Sequence, residues 1–194
     1  MKAARYFSAV DSHTEGMPTR VITGGVPALP GETMLERKLR FEEERDDLRL
    51  LLMQEPRGHG AMSGAILQPP CRDDADWGVV FIEVSGCLPM CGHGTIGIVT
   101  FALEHGLVTP KTPGRLRVEV PAGEPLVDYV QDGSKVISVT IRNVPSFVAR
   151  RGLEIEVPGL GRLSVDVAYG GNFYAIIEPQ GAYRGLDDLG AGRI

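Results

Sequence analysis

The feature that most constrains the fold is a buried-strand pattern that gives way to a glycine-rich turn and then to a helix. Residues 79–84 read VVFIEV, and such a run of β-branched and aromatic side chains is typical of a largely buried strand. Residues 90–97 read MCGHGTIG, and apolar side chains then recur at helical spacing up to Leu103, with Gly106 as a helix stop. The pattern predicts that Cys91 lies at the N-terminus of a helix.

A cysteine at this position has defined chemistry. The first N–H groups of a helix have no partner inside it, and together with the helix dipole they favour an anion. We therefore expect the helix to lower the pKa of Cys91, so that thiolate is present near neutral pH. Gly92 and Gly94 lack side chains, which leaves the backbone amides open to a small carboxylate ligand, and His93 is placed to bind that ligand or tune the thiol. Such a site suits proton transfer at a carbon next to a carboxylate.

Composition excludes several other classes of protein. The net charge of -5 and the scattered basic residues give no basis for nucleic-acid binding. No apolar run approaches the ~20 residues of a membrane span, and residues 1–6 lack the apolar core of a signal peptide, so we expect a cytoplasmic protein without a membrane partner. Three cysteines, an odd number, do not suggest a disulfide framework.

The remaining pattern indicates a β-rich fold with a long helix. Thr33 and Glu36 have capping-box spacing and predict a helix over residues 34–53. Strands are predicted over residues 5–10 and 19–23, on either side of a loop that carries His13. Further strands follow Gly106, two of them joined by a hairpin at residues 132–133. Two prolines near residue 110 predict a division into a first domain, residues 1–110, and a strand-rich second domain, residues 111–194.

The octapeptide at 90–97 closely resembles the first catalytic-cysteine motif of the proline racemase family, which includes hydroxyproline epimerases and trans-3-hydroxyproline dehydratases. Other segments resemble further blocks of that family: DSHTEGMPTR at 11–20, EPRGHG at 55–60 and YGGNF at 169–173. Many members carry Gly-Gly-Glu where this chain has EGM at 15–17. The resemblance implies an α/β (α+β) fold of the diaminopimelate-epimerase type, with two similar halves that each enclose a helix in strands. The second half would be incomplete in this chain.

The resemblance also implies an activity, that of a cofactor-independent epimerase of proline-type imino acids. Cys91 would exchange a proton with the substrate Cα from one face. The amides of Gly92, His93 and Gly94 would bind the carboxylate, and His93 would help to hold the amine. Because glycine follows the histidine in CGHGT at 91–95, where proline racemases more often have asparagine, 4-hydroxyproline is the expected substrate. A homodimer is the expected assembly, and the further residues predicted near the cleft are His13, His59, Gly170, Gly171 and Asn172.

Two alternatives stay open at this point. Racemases of the family use a second cysteine in a motif of the type DxxxCGTG, which the 194 residues do not contain. We therefore expect this chain to hold half of an active site, and a trans-3-hydroxy-L-proline dehydratase, which dispenses with the second cysteine, is the alternative enzyme. A different class is a small metal-binding module built on Cys87, Cys91 and His93. A structural zinc site usually has four protein ligands, however, and the sequence has no second cluster of such residues.

Overall fold

The computed structural model describes residues 4–189, with only the backbone described at Asp188. The chain forms two compact units, divided between Val144 and Pro145. The elements of the first unit, in chain order, are β1 (Ser8–Thr14), β2 (Met17–Gly24), α1 (Met34–Met53), β3 (Ser63–Gln68), β4 (Trp77–Glu83), β5 (Cys87–Leu88), α2 (Gly92–Glu104), β6 (Arg115–Glu119), β7 (Leu126–Asp132) and β8 (Lys135–Arg142).

The strands of the first unit form one mixed sheet in the order β1-β2-β3-β4-β6-β7-β8, with β5 paired beside β4. Strand β4 lies in the middle, and its side chains alternate between two apolar clusters as the period of two requires. Val79 and Phe81 pack in the cluster that contains α2, whereas Val80 and Ile82 pack in the cluster that contains α1. The two helices therefore lie on opposite faces of the sheet.

The sheet curls round α2. This helix contacts β1 and β8, the strands at the two edges of the sheet, as well as β2 and β3. The carboxylate of Glu104 accepts a hydrogen bond of 2.9 Å from the backbone N–H of Val136 in β8. At the other end of the helix, the hydroxyl of Thr14 in β1 donates to the carbonyl oxygen of His93 over 3.1 Å. The mixed α/β class and the helix enclosed by strands are thus confirmed for the first unit.

Helix α1 has the predicted bounds because its capping signal is used. The side-chain oxygen of Thr33 accepts the backbone N–H of Glu36 over 3.1 Å, and the Glu36 carboxylate accepts the N–H of Glu32 over 2.8 Å. The hairpin predicted at residues 132–133 is also confirmed, because Asp132 pairs with Lys135 across the turn that joins β7 to β8. No helix within residues 4–189 is long and apolar enough to cross a membrane.

The segment 11–18 differs from the predicted loop. Strand β1 continues through His13 to Thr14, β2 begins at Met17, and the connection is a tight turn at Glu15 and Gly16, both with positive φ. The polar residues of this segment show no apolar alternation that would predict a strand, because β1 is an edge strand whose side chains are mostly exposed or half-buried. His13 consequently lies on a strand.

The second unit is a three-stranded antiparallel sheet. Its strands are β9 (Phe147–Val157), β10 (Gly161–Tyr169) and β11 (Phe173–Ile176), in the order β11-β10-β9, and a short 3₁₀ turn covers Leu186–Asp188. The compact units divide between residues 144 and 145, because β6 pairs in parallel with β4 and brings β7 and β8 into the first sheet. The partition into two epimerase-like halves at residue 110 stays a prediction.

Candidate active site

Cys91 is the N-cap residue of α2, as the sequence predicts. Its backbone is extended, and the helix begins at Gly92. The backbone N–H and the hydroxyl of Thr95 both donate to the carbonyl oxygen of Cys91, over 3.0 and 2.7 Å. These two bonds fix the main chain of the cysteine, and only 8% of the residue is exposed.

The two glycines beside the thiol differ in the space around them. A Cβ atom at Gly94 would lie 3.0 Å from Sγ of Cys91 and 3.3 Å from Cε1 of Phe81, so the sulfur packs directly against this glycine. A Cβ atom at Gly92 would meet nothing within 4 Å. The space beside Cα of Gly92 is therefore open, whereas a side chain at Gly94 would crowd the thiol.

His93 connects the thiol to two strands of the sheet. Its ring Nδ1 lies 3.4 Å from Sγ of Cys91, and its Nε2 lies 3.0 Å from the hydroxyl oxygen of Ser63 in β3. Its backbone carbonyl accepts the hydrogen bond from Thr14 in β1. Sequence reasoning missed Ser63 and Thr14. Thr14 lies within the family-like block 11–20, and Ser63 lies shortly after the block 55–60.

The expected acidity of Cys91 is not found. Burial raises the pKa of its thiol; the backbone N–H of Gly94 acts in the opposite direction, and the Glu83 carboxylate raises the pKa further. Burial also raises the pKa of Cys71, and it raises the pKa of Cys87 to about 12. A helix N-terminus favours an anion, but the removal of the thiol from water outweighs that effect here.

The two further histidines predicted near the cleft form local hydrogen bonds. Nδ1 of His13 accepts the backbone N–H of Gly16 over 3.2 Å, at the turn between β1 and β2. Nδ1 of His59 accepts the N–H of Ala61 over 3.3 Å. Within residues 4–189, no hydrogen bond joins either ring to Cys91 or His93. His13 does line a cleft of about 500 Å³ between β1 and α2, whereas His59 lines a separate one of about 350 Å³.

His59 instead belongs to the surroundings of Asp11. The carboxylate of Asp11 accepts two hydrogen bonds of 2.8 Å from the Arg20 guanidinium, which also donates to the Leu52 carbonyl at the end of α1. The pKa of Asp11 is lowered chiefly by the Arg20 hydrogen bond and, to a smaller extent, by the Arg20 and His59 charges. This cluster joins β1 and β2 to α1.

Gly170, Gly171 and Asn172 form the turn between β10 and β11 in the second unit. The N–H of Gly170 donates to the carbonyl oxygen of Asn172 over 3.0 Å, and Gly171 has a φ of +99°, which glycine adopts readily. These residues therefore close a tight hairpin. That they also approach the substrate cleft stays a prediction.

The metal-module alternative requires Cys87, Cys91 and His93 to converge, and they do not. Cys87 pairs with Ile82 and packs in the cluster that contains α1, whereas Cys91 packs in the cluster that contains α2. Across residues 4–189, no group of three or more histidine, cysteine or acidic side chains is arranged to hold a metal ion. The spacing in the sequence is misleading because the two cysteines lie on opposite faces of the sheet.

Comparison with known proteins identifies relatives along nearly the whole chain. The 4-hydroxyproline epimerase of Brucella ovis is 57% identical over 189 residues, which is 97% of this chain and 57% of the relative. A crystal structure of a hydroxyproline epimerase from Agrobacterium vitis with bound trans-4-OH-L-proline matches with a TM-score of 0.84 and 30% identity, over 92% of this chain and 53% of that one. A probable proline racemase from Agrobacterium radiobacter K84 with bound carbonate matches with a TM-score of 0.82 and 32% identity, over 89% of this chain and 52% of that one.

The chain thus spans just over half the length of the relatives that it matches. The model of one family, described as proline racemase, matches residues 9–194, which include both compact units. The match contains each of the four sequence blocks and the thiol at the N-cap of α2. This chain belongs to the proline racemase family.

Proposed function

We propose that the protein is a cofactor-independent epimerase of 4-hydroxyproline, with the Cys91 thiol as the group that exchanges a proton with the substrate Cα. The observation that carries the proposal is the position of this thiol, which lies at the N-cap of α2 with the His93 ring 3.4 Å away. The name of the 57% identical Brucella relative and the ligand in the Agrobacterium vitis structure support the choice of substrate. This chain spans about half the length of such relatives, and the activity is proposed for the whole protein.

The substrate carboxylate would bind at the start of α2. The N–H groups of Gly92 and His93 are the first of the helix and have no carbonyl partner within it, whereas the next N–H, that of Gly94, donates to the Cys91 sulfur. Removal of the α-proton moves negative charge toward the carboxylate, and fixed N–H dipoles stabilise that charge without having to reorganise. The open space beside Gly92 allows a ligand to approach these amides closely.

The buried thiol would act as an acid and as a base in turn. Burial keeps the resting thiol protonated, as its raised pKa requires, so Cys91 would donate its proton to a substrate carbanion. In the opposite direction the thiolate would remove the α-proton, and the nearby Gly94 amide would stabilise the sulfur anion. The second face of the carbon needs another group. The cytoplasmic location and the homodimer stay predictions.

The test is the Cys91→Ser variant of the protein at its natural length. A hydroxyl is a far weaker acid than a thiol, so we expect epimerisation of trans-4-hydroxy-L-proline to fall by at least about 100-fold. Cys71→Ser is the matched control and should retain activity, because Cys71 lies outside the α2 cluster. Circular dichroism checks that both variants are folded. If Cys91→Ser keeps activity within tenfold of the parent, Cys91 is not the acid-base group.

A further inference from the structure

The hydroxyl of Ser63 lies between two polar atoms that constrain its single proton. Ser63 is the first residue of β3, and 8% of it is exposed. Its oxygen lies 2.8 Å from the carbonyl oxygen of Pro18 in β2 and 3.0 Å from Nε2 of His93 at the start of α2. Three separate elements of the fold therefore meet at this hydroxyl.

The two contacts together determine where the protons lie. A carbonyl oxygen only accepts hydrogen bonds, so the Ser63 hydroxyl donates its proton to Pro18. The same oxygen then has only lone pairs to offer to His93, so Nε2 must carry a hydrogen and donate it. A neutral imidazole carries one ring hydrogen, which leaves Nδ1 without one.

The Cys91 sulfur lies beside both ring nitrogens and is slightly nearer to the one without a hydrogen. Nδ1 lies 3.4 Å from Sγ of Cys91, whereas Nε2 lies 3.9 Å from it. We infer that Ser63 is a positioning residue that holds His93 in its Nε2–H tautomer, so that Nδ1 is left as a hydrogen-bond acceptor at the start of α2. The catalytic meaning of this inference rests on the proposed function, but the tautomer is a property of the folded chain.

The backbone around this pair is held on both sides. Thr95 donates to the carbonyl of Cys91, and Thr14 donates to the carbonyl of His93. The main chain at residues 91 and 93 is therefore anchored independently of Ser63. Loss of the Ser63 hydroxyl should change the ring tautomer without displacing the helix start.

The direct test is to determine the tautomer of His93 by NMR in the ¹⁵N-labelled 194-residue chain. The measurement is made at about pH 8, because an ordinary histidine, with a pKa near 6.5, is neutral there. Long-range ¹H–¹⁵N spectra distinguish a ring nitrogen with a hydrogen from one without. The chain has 4 histidines, and loss of one set of signals in His93→Gln assigns the residue. We expect a hydrogen on Nε2 and none on Nδ1; a wild-type ring with its hydrogen on Nδ1 overturns the inference.

Variants then ask whether Ser63 causes the preference. In Ser63→Ala the two nitrogen shifts should move toward each other as both tautomers become populated, and Ser63→Thr, which keeps the hydroxyl, should restore the wild-type shifts. Ser12→Ala is the matched control, because Ser12 also donates to a strand carbonyl, that of Thr19, but has no imidazole partner. Unchanged His93 shifts in folded Ser63→Ala overturn the inference. If Ser63→Ala does not fold, the comparison of wild type with Ser63→Thr decides, and different shifts in those two overturn it.

The wild-type tautomer and the comparison of variants need no turnover, so a failure of the proposed epimerase activity leaves both measurements interpretable.

Discussion

The close packing of the Cys91 sulfur against Gly94 makes a quantitative prediction for Gly94→Ala. The new methyl group would lie 3.0 Å from Sγ and 3.3 Å from the Phe81 ring, and both neighbours are buried, at 8% and 2% exposure. Crowding of this kind costs about 1–3 kcal/mol. Replacing glycine in a helix returns up to about 1 kcal/mol, so the first unit should lose about 1–2 kcal/mol of unfolding free energy.

Gly92→Ala is the matched control because it makes the same chemical change two residues away. A methyl group there meets nothing within 4 Å, so this variant should be as stable as the parent or slightly more stable. The two substitutions are thus expected to differ in sign, although both add one methyl group to the first turn of α2.

Urea unfolding followed by tryptophan fluorescence measures both variants. Trp77 is the single tryptophan of the sequence and is buried in the first unit, so its signal reports on the unit that carries the site. With a slope of about 1–3 kcal/mol per M, the midpoint of Gly94→Ala should fall on the order of 0.5–1 M below that of the parent. A midpoint for Gly94→Ala equal to or above that of Gly92→Ala would refute the packing argument.

Two further predictions concern a buried thiol and the isolated chain. Burial raises the pKa of Cys87 from 9.0 to about 12 in the folded state, so the unfolded state loses its proton first as pH rises. The stability contributed by this neutral thiol is therefore complete below about pH 9 and is lost toward pH 12. Cys87→Ala should remove part of the decline in urea midpoints over this range, and an identical decline in the variant would contradict the prediction. Two-base epimerisation needs groups on both faces of Cα, and the 194 residues contain no DxxxCGTG motif for a second cysteine. The 194-residue chain alone should therefore not convert trans-4-hydroxy-L-proline to its epimer in deuterated water, and an epimer signal by NMR would show that both groups are already present.

The sequence predicts well the elements that local signals determine. The capping residues Thr33 and Glu36 fix the start of α1, and the glycine-rich turn places Cys91 at the N-cap of α2. Strand β1 is predicted too short at its C-terminal end, because its partly exposed polar residues show no apolar alternation. Local patterns describe an edge strand poorly, since its pairing with β2 and its contact with α2 are not encoded in its own composition.

The site is predicted less completely than the fold for a related reason. Cys91 and His93 are only two residues apart in the sequence, but Ser63 reaches the ring only because β3 lies beside β2 in the sheet. The pKa direction of Cys91 could not be predicted either. It depends on how much of the thiol the surrounding sheet removes from water, and the sequence reports the helix N-terminus but not that burial.

The sheet curls round α2, and this arrangement affects how the first unit unfolds. Because both edge strands contact the helix, α2 cannot leave its place while β1 and β8 remain paired to their neighbours. The amides of α2 that are hydrogen-bonded within the helix, from Thr95 onward, should therefore exchange with solvent deuterium only when the whole unit unfolds, as a single cooperative block with the central strands. The thiol at the start of α2 would then be held in position by the most slowly exchanging part of the unit, even though it lies at a helix end, where fraying is ordinarily easiest.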